Sequence, residues 1–334
     1  MKRLHVASNG ALSWTTLREY IERWTWPKSA PKVLTLFDVA SIKKYLKNEA
    51  FSSSSSELLT LAPVLARFFA TVGMAFTIAA GVCSSEVLSI LAVLDVLDLL
   101  QTVKRNIVSP SQLHTAIRRH LDLFWEAYGE EHWRPKHHYA LHLPRMLQFF
   151  GFLVACFTTE RAHKLTKKYA RVRLNTTSYE IGMCEEITVD QLETLMRVDF
   201  KPKGLGSHGS KPTRTALTAL REVFPAVGDH EFQVAKAVKT SNGTIHVGDV
   251  VYFNGEQRRP QCGEVLMHVQ AKDACYSVVS PWERDAREDG ASSHTSRFRA
   301  LDEPYLVKID CLIASVIYSR AAEWATVLNT PELR

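Results

Sequence analysis

The feature that most constrains this chain is a change of hydrophobic period at a cationic segment rich in glycine and proline, Asp199 to Arg214 (DFKPKGLGSHGSKPTR). Before it, apolar residues recur at the three-and-four spacing of helices; beyond it, they alternate as strands do. A side chain that returns every 3.6 residues cannot line one face of a strand, so the two halves must build different layers. The chain is therefore expected to be an α+β protein of two domains. These are a mainly helical domain over 1–198 and a small antiparallel β-barrel of SH3-like size over 229–334, joined by a basic linker and short helix over 199–228.

In the first half, residues 12–26 (LSWTTLREYIERWTW) set Leu12, Leu17, Ile21 and Trp24 at near-helical spacing, with Ser13 or Thr15 as cap and Pro27 as stop. Trp14, Trp24 and Trp26 then read as core aromatics rather than as a stacking surface. Val33 to Asp38 reads either as a buried strand presenting a metal-binding Asp38 or as the lead-in to a helix over Val39 to Leu46. Helices follow almost without interruption from Leu58 to Val103. One of them, Ser84 to Val103, turns Val87, Ile90, Leu91, Leu94, Leu97 and Leu100 inward and leaves Asp95 and Asp98 solvated. The uncharged run Phe68 to Ser85 has about the length a membrane span needs. It lacks anchoring residues at both ends and is rich in Ala, Gly and Thr, so it is expected to be a buried core helix, with no membrane partner. A third helix, Ser111 to Tyr128, carries Arg118, Arg119 and His120 and stops at Gly129.

In the second half, Phe232–Val238 and Thr244–Phe253 flank Ser241-Asn242-Gly243, a hairpin signal. Gly263–Val269 and Ala274–Val279 make a second hairpin across Gln270 to Asp273, and Tyr305–Ile317 supplies further strand. Residues 283–299, rich in charge, Gly and Ser, read as a mobile loop. The six cysteines are scattered without a C-x-x-C pair, which fits reduced thiols in a nuclear or cytoplasmic protein. No apolar run follows Met1-Lys2-Arg3, so no secretory signal is expected.

The net charge of +6 is modest, so its placement decides what it does. It concentrates between Lys136 and Arg173. There Pro144 opens a helix that Gly151 closes, and Thr158 or Thr159 caps the next one. On that next helix Ala162, Leu165, Tyr169 and Val172 form an apolar stripe, with Glu160, His163, Lys164, Lys167, Lys168 and Arg171 opposite. Aligned cations release counterions from phosphate, so Lys136, His137, His138, Arg161, His163, Lys164, Lys167, Lys168, Arg171 and Arg173 are the candidate contacts to DNA or RNA. The plainer alternative is a solvated helix with a Glu160–Lys164 pair. His138-x3-His142 and Glu160-x2-His163 have ligand spacing, but the lysines repel a divalent ion and Pro144 disturbs the helix, so no metal or other cofactor is assigned. No G-x-S-x-G, glycine-rich phosphate loop or H-E-x-x-H is present.

The segment PKHHYALHLPRMLQFFGFLVACFTTERAHKLTKKYA, with P-K-x-H, then F-G, then C-x-x-x-E-R, resembles a segment near the end of transposase-like proteins of eukaryotic DNA transposons, the CACTA and KDZ-like groups. The resemblance spans roughly residues 10–200. It implies an RNase H-like fold in which three acidic residues hold two Mg²⁺ ions for strand cleavage and transfer, Glu160 being the third acid and Leu58 to Tyr128 a helical insertion. It also likens the C-terminal barrel to an accessory β-domain. No strands that would carry the first two acids are legible before residue 30, so it implies the C-terminal part of such a protein, catalytically incomplete alone. Two rival expectations stand beside it. One is a Mg²⁺-dependent nuclease or integrase using Glu160 with Asp38 or Asp122; the other is an adaptor whose barrel binds a protein partner's peptide.

Overall fold

The structure, a computed structural model, describes residues 2–10, 12–48, 51–103, 108–153, 185–189, 192–193, 204–206, 209–240, 242–255, 260–285, 295–301 and 303–328. Glu160, Arg161, His163, Lys164, Lys167, Lys168, Arg171 and Arg173 lie outside these residues.

The architecture is α+β, with helices first and antiparallel sheet after. Helices α1 (Lys2–Ala7), α2 (Trp14–Glu22) and α3 (Val39–Asn48) lead into α4 (Ser55–Phe68). Ser13 caps α2 and Ser54 caps α4, the latter in a reciprocal box with Glu57. Trp24 is buried, while Trp14 and Trp26 pack against the same core, as their helical spacing predicts. Val33–Phe37 is a 3-10 helix rather than a strand, because Val33, Leu36 and Phe37 reach the core from one tight turn.

The uncharged run after Phe68 departs from the expected core helix. A π-helical turn, Phe69–Gly73, passes into α5 (Met74–Ala80), which ends on Gly81 at φ 66°. The helical run Ser55–Ala80 is long and apolar enough to cross a membrane by length and composition. Its first part enters the core through Leu61, Val64, Phe68 and Phe69, whereas Ile78 stands 76% exposed. The run therefore buries its first part most deeply, keeps Met74, Phe76 and Thr77 against the core, and exposes Ile78 near its end.

Helix α6 (Ser84–Thr102) also differs from expectation, being packed on more than one side. Leu94 meets Ala62 and Ala66 of α4, while Val96 joins Leu113, Ile117 and Leu121 of α7 (Pro110–Tyr128). A helix apolar on several faces has to be enclosed. Asp95 and Asp98 are accordingly half-buried rather than solvated. Helices α8 (Pro135–Ala140) and α9 (Leu143–Phe150) fold back so that Leu147 enters the α7 core.

Beyond the helices come β1 (Gly204–Leu205), α10 (Arg214–Val223), β2 (Phe232–Ala235), β3 (Ala237–Thr240), β4 (Gly243–His246) and β5 (Val250–Asn254). They are followed by β6 (Pro260–Ala271), β7 (Ala274–Arg284), β8 (Thr295–Ala300), β9 (Tyr305–Lys308), β10 (Leu312–Ser315), β11 (Tyr318–Ala321) and β12 (Trp324–Leu328). One sheet runs β1-β3-β4 and the larger runs β10-β5-β6-β7-β8-β12-β11, with β2 on β6 and β9 on β7.

The long β6–β7 hairpin is the spine. Its register shifts between Val265 and Met267, so the two halves of the spine serve different partners. Near the turn, β2 pairs Val269 and β9 pairs Val278; at the far end, β5 pairs Cys262 and β8 pairs Trp282.

The hairpin across Asn242-Gly243 forms as expected, Thr240 opposite Gly243. The flanking runs do not stay single. Phe232–Val238 breaks at Lys236 and Thr244–Phe253 breaks at Gly248, φ 85°, where the chain passes from the small sheet to the large one. The expected linker is partly structural, because Leu205 pairs Val238, and Ser210 exchanges two backbone hydrogen bonds of 2.8 Å with Val234. Likewise Thr295–Ala300 of the expected loop is a strand.

Helices and sheet share material. Thr25 bridges Tyr318, and Ile317 and Leu328 belong to the core of the N-terminal helices. Buried Asp249 accepts from the backbone N–H of Lys28 (3.0 Å) and of His246 (2.8 Å), while Lys28 Nζ donates to the Val247 carbonyl.

Candidate nucleic-acid interface

Between Glu131 and Glu160 the sequence has no acidic residue, and its described part, Trp133 to Leu153, folds as α8, a tight turn and α9. The turn keeps helical handedness. Leu141 N–H donates to the His138 carbonyl and His142 N–H to the Tyr139 carbonyl, both at 3.1 Å, and Leu141 and His142 have right-handed helical dihedrals. Pro144 falls in the first turn of α9, where its missing N–H has no helical partner to lose. It therefore does not separate the two histidines, contrary to the sequence expectation.

Because the handedness carries through, the two short helices present common faces. Ala140, Pro144 and Leu147 turn toward α7. His138, His142, Arg145 and Phe149, at spacings of four, three and four, turn to solvent. Phe149 is 81% exposed, the most exposed of the described large apolar side chains, and Phe150 and Phe152 stand beside it at 48% and 57%. His142, Arg145, Gln148, Phe149 and Phe150 line an open hollow of about 550 Å³. The Nε2 atoms of His138 and His142 lie 3.3 Å apart.

The remaining histidines of the region do other work. His137 is half-buried, its ring centroid 4.4 Å from Phe124 and 5.0 Å from Trp133. Its Nδ1 accepts from the Arg134 backbone N–H at 3.2 Å, which requires that nitrogen to be unprotonated. Burial, with neighbouring Arg134, holds its pKa below the usual histidine range. His120 on α7 is lowered too, chiefly by burial. These two imidazoles stay uncharged near neutrality and serve as core-edge aromatics. His132 Nδ1 donates to the Tyr128 carbonyl at 2.8 Å, tying the end of α7 to the following turn.

Of the nucleic-acid contacts expected from the sequence, Lys136 and His138 are exposed, whereas His137 faces inward. Arg134 and Arg145 are exposed cations of the same region that the sequence reading passed over. The signal for Arg145 was the spacing from His142, hidden by treating Pro144 as a break.

The candidate catalytic acids are placed elsewhere. Asp38 is exposed and caps α3, accepting from Ser41 N–H at 2.7 Å, which holds its carboxyl below the ordinary range. Asp122 is exposed on α7. Among the described residues no group of three His, Cys, Asp or Glu side chains converges on a point where a metal could sit. Comparison with protein-family models and with curated proteins gave no match for this chain.

Proposed function

We propose that the chain is a transposase-derived protein that binds DNA or RNA and does not complete strand transfer by itself. The observation that carries this reading is the continuous face of His138, His142, Arg145 and Phe149, free of acidic residues, with Arg134 and Lys136 beside it. Cations attract the phosphate backbone, and an exposed aromatic ring offers a base something to stack on. The cations from Arg161 to Arg173 extend the same sequence pattern. In this reading the C-terminal sheet is an elaborated SH3-like module that positions the binding half, supported by its antiparallel strands and by the two apolar clusters built on Val265 and on Cys262.

Fluorescence anisotropy with a labelled oligonucleotide tests it. Arg145→Glu is expected to weaken binding to duplex and to single strands alike, since phosphate contacts ignore base identity. Phe149→Ala is expected to cost about 1–3 kcal/mol on single strands and little on duplex. Binding that neither substitution changes would refute the assignment to this face.

A further inference from the structure

We propose that His138 and His142 form an exchangeable binding site for a borderline transition-metal ion such as Zn²⁺, Ni²⁺ or Cu²⁺. Two imidazole nitrogens bound to one tetrahedral ion at about 2.0–2.1 Å stand roughly 3.3 Å apart. The two Nε2 atoms already have that separation, 3.3 Å, with the ring centroids 5.0 Å apart at 83°. In the metal-free protein one ring must donate Nε2–H and the other accept. An ion takes the place of that proton and binds both Nε2 atoms, the donor ring passing through solvent exchange to its neutral Nδ1–H tautomer.

The geometry is set by the backbone rather than by the pair itself. His138 lies within α8, and the His142 backbone carbonyl accepts from Met146 N–H at 2.9 Å at the start of α9, while buried Pro144 and Leu147 hold that helix on α7. Both rings are solvent-facing, so an ion can enter directly. Two protein ligands leave further positions open for water or for an anionic oxygen of a ligand. Arg145, one turn along, faces the same hollow as His142. Its charge and that of Lys136 weaken the hold on a divalent cation, which makes the ion exchangeable rather than structural. The assignment does not depend on whether this face binds nucleic acid.

The test uses the full chain without an affinity tag, titrated with Cu²⁺ and with Zn²⁺ alone, by calorimetry and by electron spin-echo spectroscopy of the copper form. The expected results are one ion per chain and two equatorial imidazole nitrogens. His138→Gln and His142→Gln should each weaken binding by about tenfold or more and leave one nitrogen. His132→Gln, which removes an exposed ring engaged with the Tyr128 carbonyl, is expected to change neither readout. Circular dichroism of each variant separates loss of ligand from loss of fold. No binding to the wild-type chain would overturn the proposal, as would spectra and affinities that the His138 and His142 variants leave unchanged in folded protein.

Discussion

His268 shows how a single side chain ties this fold to pH. It is fully buried on β6, with Nδ1 2.8 Å from the hydroxyl of equally buried Ser277 on β7. Burial pushes its pKa down to about 4 from the ordinary 6.5, more than the nearby Ile245 carbonyl and Asp249 offset. Above pH 6.5 both folded and unfolded chains hold this imidazole neutral, so stability is complete. Between 6.5 and 4 the unfolded chain takes up a proton that the folded chain refuses, and stability falls by about 3 kcal/mol for this one group. Urea melts from pH 7 to pH 4.5 are expected to show this loss in the wild type and to show less of it in His268→Gln. Equal acid sensitivity of the two would refute it. Gly263 makes a second residue-scale case, since a Cβ there would come within 2.5 Å of Val279 Cγ1 and 2.6 Å of the Ser280 carbonyl oxygen. Gly263→Ala should cost about 1–3 kcal/mol, read as a lowered unfolding midpoint. The sequence places both residues on the first strand of the Gly263–Val269 and Ala274–Val279 hairpin, which the structure bears out, but strand alternation alone shows neither that His268 is fully buried nor that Val279 and Ser280 crowd Gly263.

At the scale of elements, legibility followed how local the physics was. The cap at Ser13, the stop at Gly129 and the start at Pro144 are set by side chains within a few residues, and these three appear where the sequence places them. Ser109, one cap the sequence reading did not name, is just as local, accepting from Gln112 N–H at 3.2 Å while Gln112 Oε1 accepts from Ser109 N–H at 2.8 Å. Ser109→Ala should therefore lower stability by about 1 kcal/mol in thermal or urea melts. What escaped the sequence depended on neighbours. The inward stripe assigned to α6 was too narrow because a strongly apolar helix does not declare which of its sides meets α4 and which meets α7. The hairpin of β11 and β12 turns at Ala322, φ 54°, and Glu323, without the Gly or Asn that usually marks such a turn. The candidate face on α8 and α9 was half legible. His138 and His142 were noticed but Arg145 and Phe149 were not, because Pro144 was taken to disrupt a helical path that the first-turn position in fact preserves.

For the whole molecule, the change of hydrophobic period foretold two kinds of layer but not how firmly they are joined. Asp249 is the clearest joint, because one buried carboxylate serves Lys28 from the helical half and His246 from the sheet. Asp249→Ala leaves two backbone N–H groups without that acceptor and should destabilise the protein by about 2–4 kcal/mol. Limited proteolysis should then cut near Lys28 in the variant before it does in the wild type. An unchanged digest would show that the contact contributes little. Between the two halves Pro27, Pro31, Pro63, Gln101, Ser315 and Ile317 line a cleft of about 400 Å³, so the joint is firm at Asp249 and open beside it.

The central claim is that an exposed cationic and aromatic face recognises nucleic acid through its phosphates, and the salt dependence of binding tests it most directly. Measured by anisotropy over a series of KCl concentrations, log K should fall linearly with log salt, and Lys136→Glu and Arg145→Glu should each make that slope shallower by about 1. A chain that does not bind DNA or RNA, or binds with no response to salt, would contradict the account.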